Sequence, residues 1–265
     1  MFSYPEMDPV ALSLGPLNVH WYGIMYLCAF ASAWAIGVLI SRRAWSAVTA
    51  KQVEDLIFYG ALGVVVGGRI GYVMFYNFGT FLQDPMWLLR VWEGGMSFHG
   101  GLLGVIVAMA LFSIKIGKPF LRVMDFVAPL VPIGLLFGRL GNFIGQELWG
   151  RQTTFVLGMV FPDDAKGLVR HPSQLYEAFF EGAVLFVILF LFSRKPRPTG
   201  AICSLFLIGY GVFRFSVEFV REPDAHILFD LFDWMTRGQI LSTPMIIVGL
   251  LFFIGAYVKS NRTSN

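Results

Sequence analysis

Seven stretches of about twenty residues carry almost no charge, a pattern that leaves few folds open. As helices, segments of that length match the roughly 30 Å hydrocarbon core of a bilayer. They fall near 21–40, 53–75, 97–115, 124–144, 174–192, 201–219 and 240–258. The residues are 56% hydrophobic and 14% charged, against about 25% charged in soluble chains, so polar side chains are too few to cover the surface. Ten-residue strands of alternating polarity are absent, which excludes a membrane barrel. The expected fold is an all-α integral membrane protein of about seven transmembrane helices, forming a single polytopic domain over 1–265.

Loop charges give that bundle a direction. One set of alternate loops holds eleven basic residues: Arg42, Arg43, Lys51, Lys115, Lys118, Arg122, Arg194, Lys195, Arg197, Lys259 and Arg262. The other set holds six: Arg90, Arg151, Lys166, Arg170, Arg221 and Arg237. The positive-inside rule then places the C-terminus in the cytoplasm and the N-terminus outside. No Lys or Arg precedes the first apolar run, which is about twenty residues long, so a cleaved leader is not expected. Two outer segments are long, near 145–173 and 220–239. In the second, Ile227, Leu228, Leu231, Phe232 and Trp234 stand among Asp224, Asp230 and Asp233. That pattern fits a helix lying in the headgroup layer, or a solvated loop with a short helix.

Gly63, Gly67 and Gly71 recur every fourth residue, as do Gly134 and Gly138, which is the spacing of close helix packing in lipid. Cys28 and Cys203 sit far apart in apolar stretches, without metal-ligand spacing, and read as small buried hydrophobes. The basic residues form no polar face suited to nucleic acid.

Three arginines, Arg69, Arg139 and Arg214, fall inside the expected spans, where each costs at least a few kcal/mol unless paired. Arg214 and Glu218 are i,i+4, so an internal ion pair would explain Arg214 without any function. Arg69 has no acidic residue nearby on its helix, and a partner on another span or snorkelling would account for it. Arg139 precedes Asn142, Gln146 and Glu147 in "GRLGNFIGQELWG" and reaches the same outer depth as Arg214. Arginine binds phosphate bidentately and keeps its charge, so two such groups suit an anion held beside hydrocarbon. His99 in "EGGMSFHGG" opens the third span at that depth; a lone histidine there is also explained as a satisfied core residue. Trp21 and Trp149 read as interfacial anchors, and His226 as a loop residue. Three classes stay open: an enzyme acting on an anionic lipid headgroup, an outer-leaflet anion or headgroup transporter, and a structural polar core. No internal repeat of the transporter kind is apparent.

The motifs "HWYG", "GGRIGYVMFYN", "GGMSFHGG", "GRLGNF", "ELWGR", "RHPSQLYE", "RKPRP" and "GYGVFRFSVEFVREPD" together resemble the prolipoprotein diacylglyceryl transferase family of bacterial inner membranes. The likeness runs in order from about His20 to the last span. One departure is visible: Gly145–Gln146 stands where the family pattern has asparagine, often followed by glycine. The resemblance implies transfer of diacylglyceryl from phosphatidylglycerol to the lipobox cysteine thiol of a prolipoprotein signal peptide. A thioether and glycerol 1-phosphate result, at a site facing the periplasm, with no metal or cofactor. It further implies that Arg139 and Arg214 are essential and that Tyr22, His99, Asn142, Glu147, Gly150 and Tyr210 matter. On this reading Arg139 holds the lipid phosphate. Arg214, set by Glu218 and followed by Arg221, stabilises the leaving group or the thiolate. His99 is the candidate base, with a water or an arginine-bound oxyanion as alternatives.

Overall fold

A computed structural model describes residues 2–5, 7–15, 17–222 and 234–264. The hairpin β2 (Val10–Leu14) and β3 (Leu17–His20) is antiparallel and leads directly into α1 (Trp21–Ser41), after a short strand β1 (Phe2–Ser3). Then come α2 (Ala50–Tyr76), α3 (Phe78–Gln83), two 3₁₀ turns (Pro85–Leu89 and Val91–Glu93) and α4 (Phe98–Lys115). Next, α5 (Phe120–Val127) and α6 (Val131–Ile144) are followed by the strands β4 (Met159–Val160) and β5 (Val169–Arg170). β1 pairs parallel with β4, and β4 antiparallel with β5. A composite helix follows: α7 (Ser173–Glu177), a π-helical segment (Ala178–Val184) and α8 (Leu185–Phe192). The chain ends with α9 (Ala201–Val217) and α10 (Arg237–Ser264).

Each expected apolar segment is helical. Among the described residues five helices are long and apolar enough to cross a bilayer, and a sixth span results if α5 and α6 count as one. That pair is bent by 45°. The break contains Pro129, which has no N–H to continue the ladder. At 17 residues α9 spans about 25 Å, short of the hydrocarbon thickness. Leu27, Phe58, Ile114 and Leu251 point outward on the long helices, as suits a hydrocarbon solvent. Cys28 and Cys203 form no disulfide among the described residues and are half-buried, not buried as expected; Cys203 packs against the cluster of Leu185, Leu189 and Ile202, and its thiol donates to the Gly200 carbonyl at 3.3 Å. Residues 223–233 of the expected outer segment, His226 and most of the amphipathic pattern among them, lie outside the described residues; Trp234 just after them stacks its ring on Phe219 at 6.4 Å.

The chain divides into two compact units: residues 1–36 with 127–265, and residues 37–126. In the smaller unit the glycine stripe of α2 meets that of α4. A Cβ on Gly67 would lie 2.7 Å from the Gly104 Cα, and one on Gly71 would lie 2.7 Å from the Gly100 Cα. Only bare backbones fit at that distance. Buried Arg69 belongs to this unit and holds a loop. Its guanidinium donates to the carbonyls of Leu88 (3.0 Å), Trp87 (2.6 Å) and Gly94, and lies 4.4 Å above the Trp87 ring. The arginine without an acidic neighbour is therefore a structural clamp, satisfied by backbone dipoles and a ring face.

In the larger unit, Leu185 and Leu189 pack with Ala128 and Ile202. Tyr4 packs with Phe143, Met159 and Phe161. The Tyr4 hydroxyl donates to the carbonyls of Phe143 and Ile144, both at 3.0 Å, closing the C-terminal end of α6.

Candidate active site

Charged groups from α6, the composite helix and α9 meet inside the larger unit. The Arg139 Nε lies 2.6 Å from Glu177 Oε2, and the Arg214 Nη1 lies 2.7 Å from the other oxygen, Glu177 Oε1. Two guanidiniums from two helices thus share one carboxylate, which is 1% exposed. Arg214 turns its Nη2 to Glu218 Oε2 at 2.6 Å, the i,i+4 partner expected from the sequence. Arg221 stands further off, 3.9 Å from Glu177 and 4.0 Å from Glu218. Glu181 lies 3.8 Å from both Arg139 and Arg214. Its oxygens are buried without a hydrogen-bond partner among the described residues, so it acts through charge alone.

Local structure explains why these groups converge. Gly182 lets the composite helix press on α6: a Cβ there would lie 2.7 Å from the Leu136 Cβ, about one turn before Arg139. Gly238, at the start of α10, leaves room for the Glu218 carboxylate, whose carbon would lie 2.6 Å from an added Cβ. Thr236 and Gln239 cap α10 reciprocally, through bonds of 3.1 and 3.4 Å. Like charges explain the need for a carboxylate between the arginines. Two unit charges about 5 Å apart repel by roughly 3 kcal/mol at an effective dielectric of about 20.

The end of α6 carries the rest of the motif. Asn142 Nδ2 donates to Glu147 Oε2 at 3.2 Å, and the Glu147 N–H donates to the Asn142 carbonyl at 2.9 Å. Glu147 sits between two non-glycine residues of positive φ, Gln146 (52°) and Leu148 (59°). Such backbone costs about 1–3 kcal/mol per residue and needs support from its surroundings. Support comes from buried Gln174, donating to the Glu147 carbonyl at 2.6 Å, and Ser173, donating to the Leu148 carbonyl at 2.9 Å. Gln146 accepts the Asp163 N–H at 3.0 Å. The departure at Gly145–Gln146 is thus physical: the glycine has an ordinary φ of −77°, and the left-handed position is held by glutamine.

Tyr22, partly exposed, lays its ring against Gly141, where a Cβ would come within 2.9 Å of the ring. Gly150 is a close-packing point. Its N–H donates to the His171 carbonyl at 2.8 Å, it bridges to Arg221, and a Cβ would lie 2.7 Å from His171. Tyr210 lies one turn before Arg214 on α9, stacked on Phe206 at 5.8 Å. His99 belongs to the smaller unit, exposed in the first turn of α4 after the cap Ser97, with its ring edge-on to Phe98 at 5.6 Å. The arginines, Glu218, Asn142, Glu147, Tyr22, Gly150 and Tyr210 all belong to the larger unit.

Outside the helices, Arg170 pairs with Asp164 at 2.6 Å and lies 5.7 Å from the Trp149 ring centroid. That hydrogen bond holds the Asp164 carboxyl below its usual range. Burial lowers the His171 imidazole, whose Nδ1 lies 3.3 Å from the Tyr176 hydroxyl. Glu177 and Glu181 are absent from the site residues expected from the sequence. The signal was present, since both are acidic residues inside an apolar span at i,i+4 spacing.

The model of the family described as prolipoprotein diacylglyceryl transferase matches residues 9–255. A Teredinibacter turnerae protein named phosphatidylglycerol–prolipoprotein diacylglyceryl transferase is 64% identical, covering 97% of this chain and 93% of its own length. Proteins of that name from Acinetobacter baylyi and Acinetobacter baumannii are 56% identical over 98% of this chain and 96% of theirs. The chain belongs to the prolipoprotein diacylglyceryl transferase family.

Proposed function

We propose that this chain transfers diacylglyceryl from phosphatidylglycerol to the lipobox cysteine thiol of a prolipoprotein, the reaction its relatives' name describes. The thiol sulfur forms a bond to the glyceryl carbon while that carbon's bond to the phosphate oxygen breaks. Glycerol 1-phosphate leaves with the electron pair, and the thiol proton passes to a base or to the leaving phosphate. The observation that carries the reading is the pairing of Arg139 and Arg214 across one buried carboxylate. Two guanidiniums gathered on one carboxylate can also donate to one phosphate, and such donors stabilise the charge that develops as the ester leaves. The same cations favour thiolate over thiol, whose ordinary pKa is about 8.5. Nucleophile and leaving group both arrive with the substrates, so the chemistry needs no cofactor.

Arg139 holds the phosphate; Arg214, braced by Glu218, and Arg221 meet the leaving group; Asn142, Glu147, Tyr22, Gly150 and Tyr210 shape the headgroup site. The resemblance offers His99, which belongs to the smaller unit, as a candidate base, with a water or an arginine-bound oxyanion as alternatives. The chain sits in the bacterial inner membrane as one domain of seven spans, α9 being the short one. Its N-terminus and site face the periplasm, a reading supported by the excess of basic residues in the opposite loops. Purified protein given phosphatidylglycerol and a lipobox peptide should yield the thioether and glycerol 1-phosphate in equal amounts. Movement of lipid or anion across vesicles with no thioether would instead support a transporter.

A further inference from the structure

The composite helix has an irregularity that bears on the arginine pair. Glu177, Glu181, Leu185 and Leu189 follow one another every four residues, and all four are 1% exposed or less. In an uninterrupted α-helix each four-residue step overshoots a full turn by about 40°, so three steps would swing the stripe by about 120°. The leucines would then lose the core while the glutamates faced the arginines. The π-helical segment 178–184 turns less per residue and takes that drift back. Leu185 and Leu189 anchor the stripe against Ala128 and Ile202, and Gly182 sets its distance from α6. Glu177 is thereby held with one oxygen on each guanidinium.

We infer that Glu177 is a positioning residue of the transfer reaction: its carboxylate keeps Arg139 and Arg214 side by side for one phosphate, and the π-helical turn keeps it facing them. This rests on the transferase reading above. The formal charges of Arg139, Arg214 and Arg221 are balanced by Glu177, Glu181 and Glu218. Neutralising Glu177 therefore has two opposed effects. The cluster gains a positive charge, which favours anion binding, while the guanidiniums lose the link that sets their spacing.

The test is steady-state kinetics with phosphatidylglycerol and a lipobox peptide, together with inhibition by glycerol 1-phosphate and thermal unfolding. In Glu177→Gln, kcat should fall by about 30-fold or more, KM for phosphatidylglycerol should not rise, and glycerol 1-phosphate should inhibit more strongly. Glu177→Asp keeps the charge at shorter reach, so its kcat should lie between wild type and Glu177→Gln. A general disruption of the site would raise KM instead. A Glu177→Gln kcat within about threefold of wild type, or a tenfold rise in KM in either variant, would overturn the inference. If Glu177→Gln does not fold, Glu177→Asp decides: a lowered kcat at unchanged KM supports the role, and full activity removes it. A wild-type protein that makes no thioether would instead defeat the transferase reading, separately from Glu177.

Discussion

Substituting Arg214 separates two things the ion network does. Arg214 reaches Glu177 at 2.7 Å with one nitrogen and Glu218 at 2.6 Å with another, and all three side chains are buried. Alanine would leave two buried carboxylates facing one another without their common cation. Removing one member of a buried pair typically costs about 3–5 kcal/mol, which for a chain of this size is a fall in Tm of roughly 6–20 °C. An Arg214→Ala variant should therefore be less stable as well as inactive. Lysine keeps the charge but offers one ammonium where the fork had several N–H groups in a plane. It meets one carboxylate well and the other poorly, so Arg214→Lys should lose only about 1–2 kcal/mol of stability. Activity should nonetheless fall by about 100-fold or more, because the phosphate loses its bidentate partner. Thioether formation and thermal unfolding, both in detergent with phosphatidylglycerol, measure the two effects. Lysine activity within about threefold of wild type would refute the need for a planar fork. An alanine variant as stable as wild type would refute the structural part of the argument.

Other outcomes follow from single contacts. Gly67→Ala places a methyl 2.7 Å from the Gly104 Cα and should destabilise by about 1–3 kcal/mol or more, whereas at Gly101 the nearest atom is 3.6 Å away and Ala should be tolerated; unfolding of the two variants compares them. Gln146→Gly relieves a left-handed glutamine of about 1–2 kcal/mol but loses a hydrogen bond worth about 1 kcal/mol and gains chain entropy when unfolded, so stability should change by less than about 1 kcal/mol. The pair Asp164–Arg170 contributes fully above the carboxylate's ordinary pKa of about 3.9 and loses that contribution as pH falls through the lower folded value. Asp164→Asn should remove that acid-side slope from a stability profile. His171 acts at higher pH. Its folded form resists protonation, so stability should decline as pH drops below about 6.5, and His171→Gln should flatten that region.

The helices were legible because lipid imposes length and polarity on every span, and each of the seven apolar stretches is helical. Arg139 and Arg214 stood out for the same reason, as charges where charges are costly. Glu218 was readable from its i,i+4 spacing. Glu177 and Glu181 carry the same signal, but their partners lie on other helices, and only the folded chain shows that one carboxylate serves two arginines. The π-helical turn has no local sequence mark; it is stabilised by what the stripe must face. The clamp of Arg69 was hidden because its acceptors are backbone carbonyls 18 to 25 residues away. Left-handed Gln146 and Leu148 run against local preference, with Gly145 beside them in an ordinary conformation. That backbone is held by buried Gln174 and Ser173, which are remote in sequence.

A structure determined with phosphatidylglycerol bound tests the central claim most directly. Its phosphate oxygens should lie within about 3 Å of nitrogens on both Arg139 and Arg214, with Glu177 still between the two guanidiniums. A headgroup phosphate seated on one of these arginines alone, or elsewhere in the protein, would contradict it.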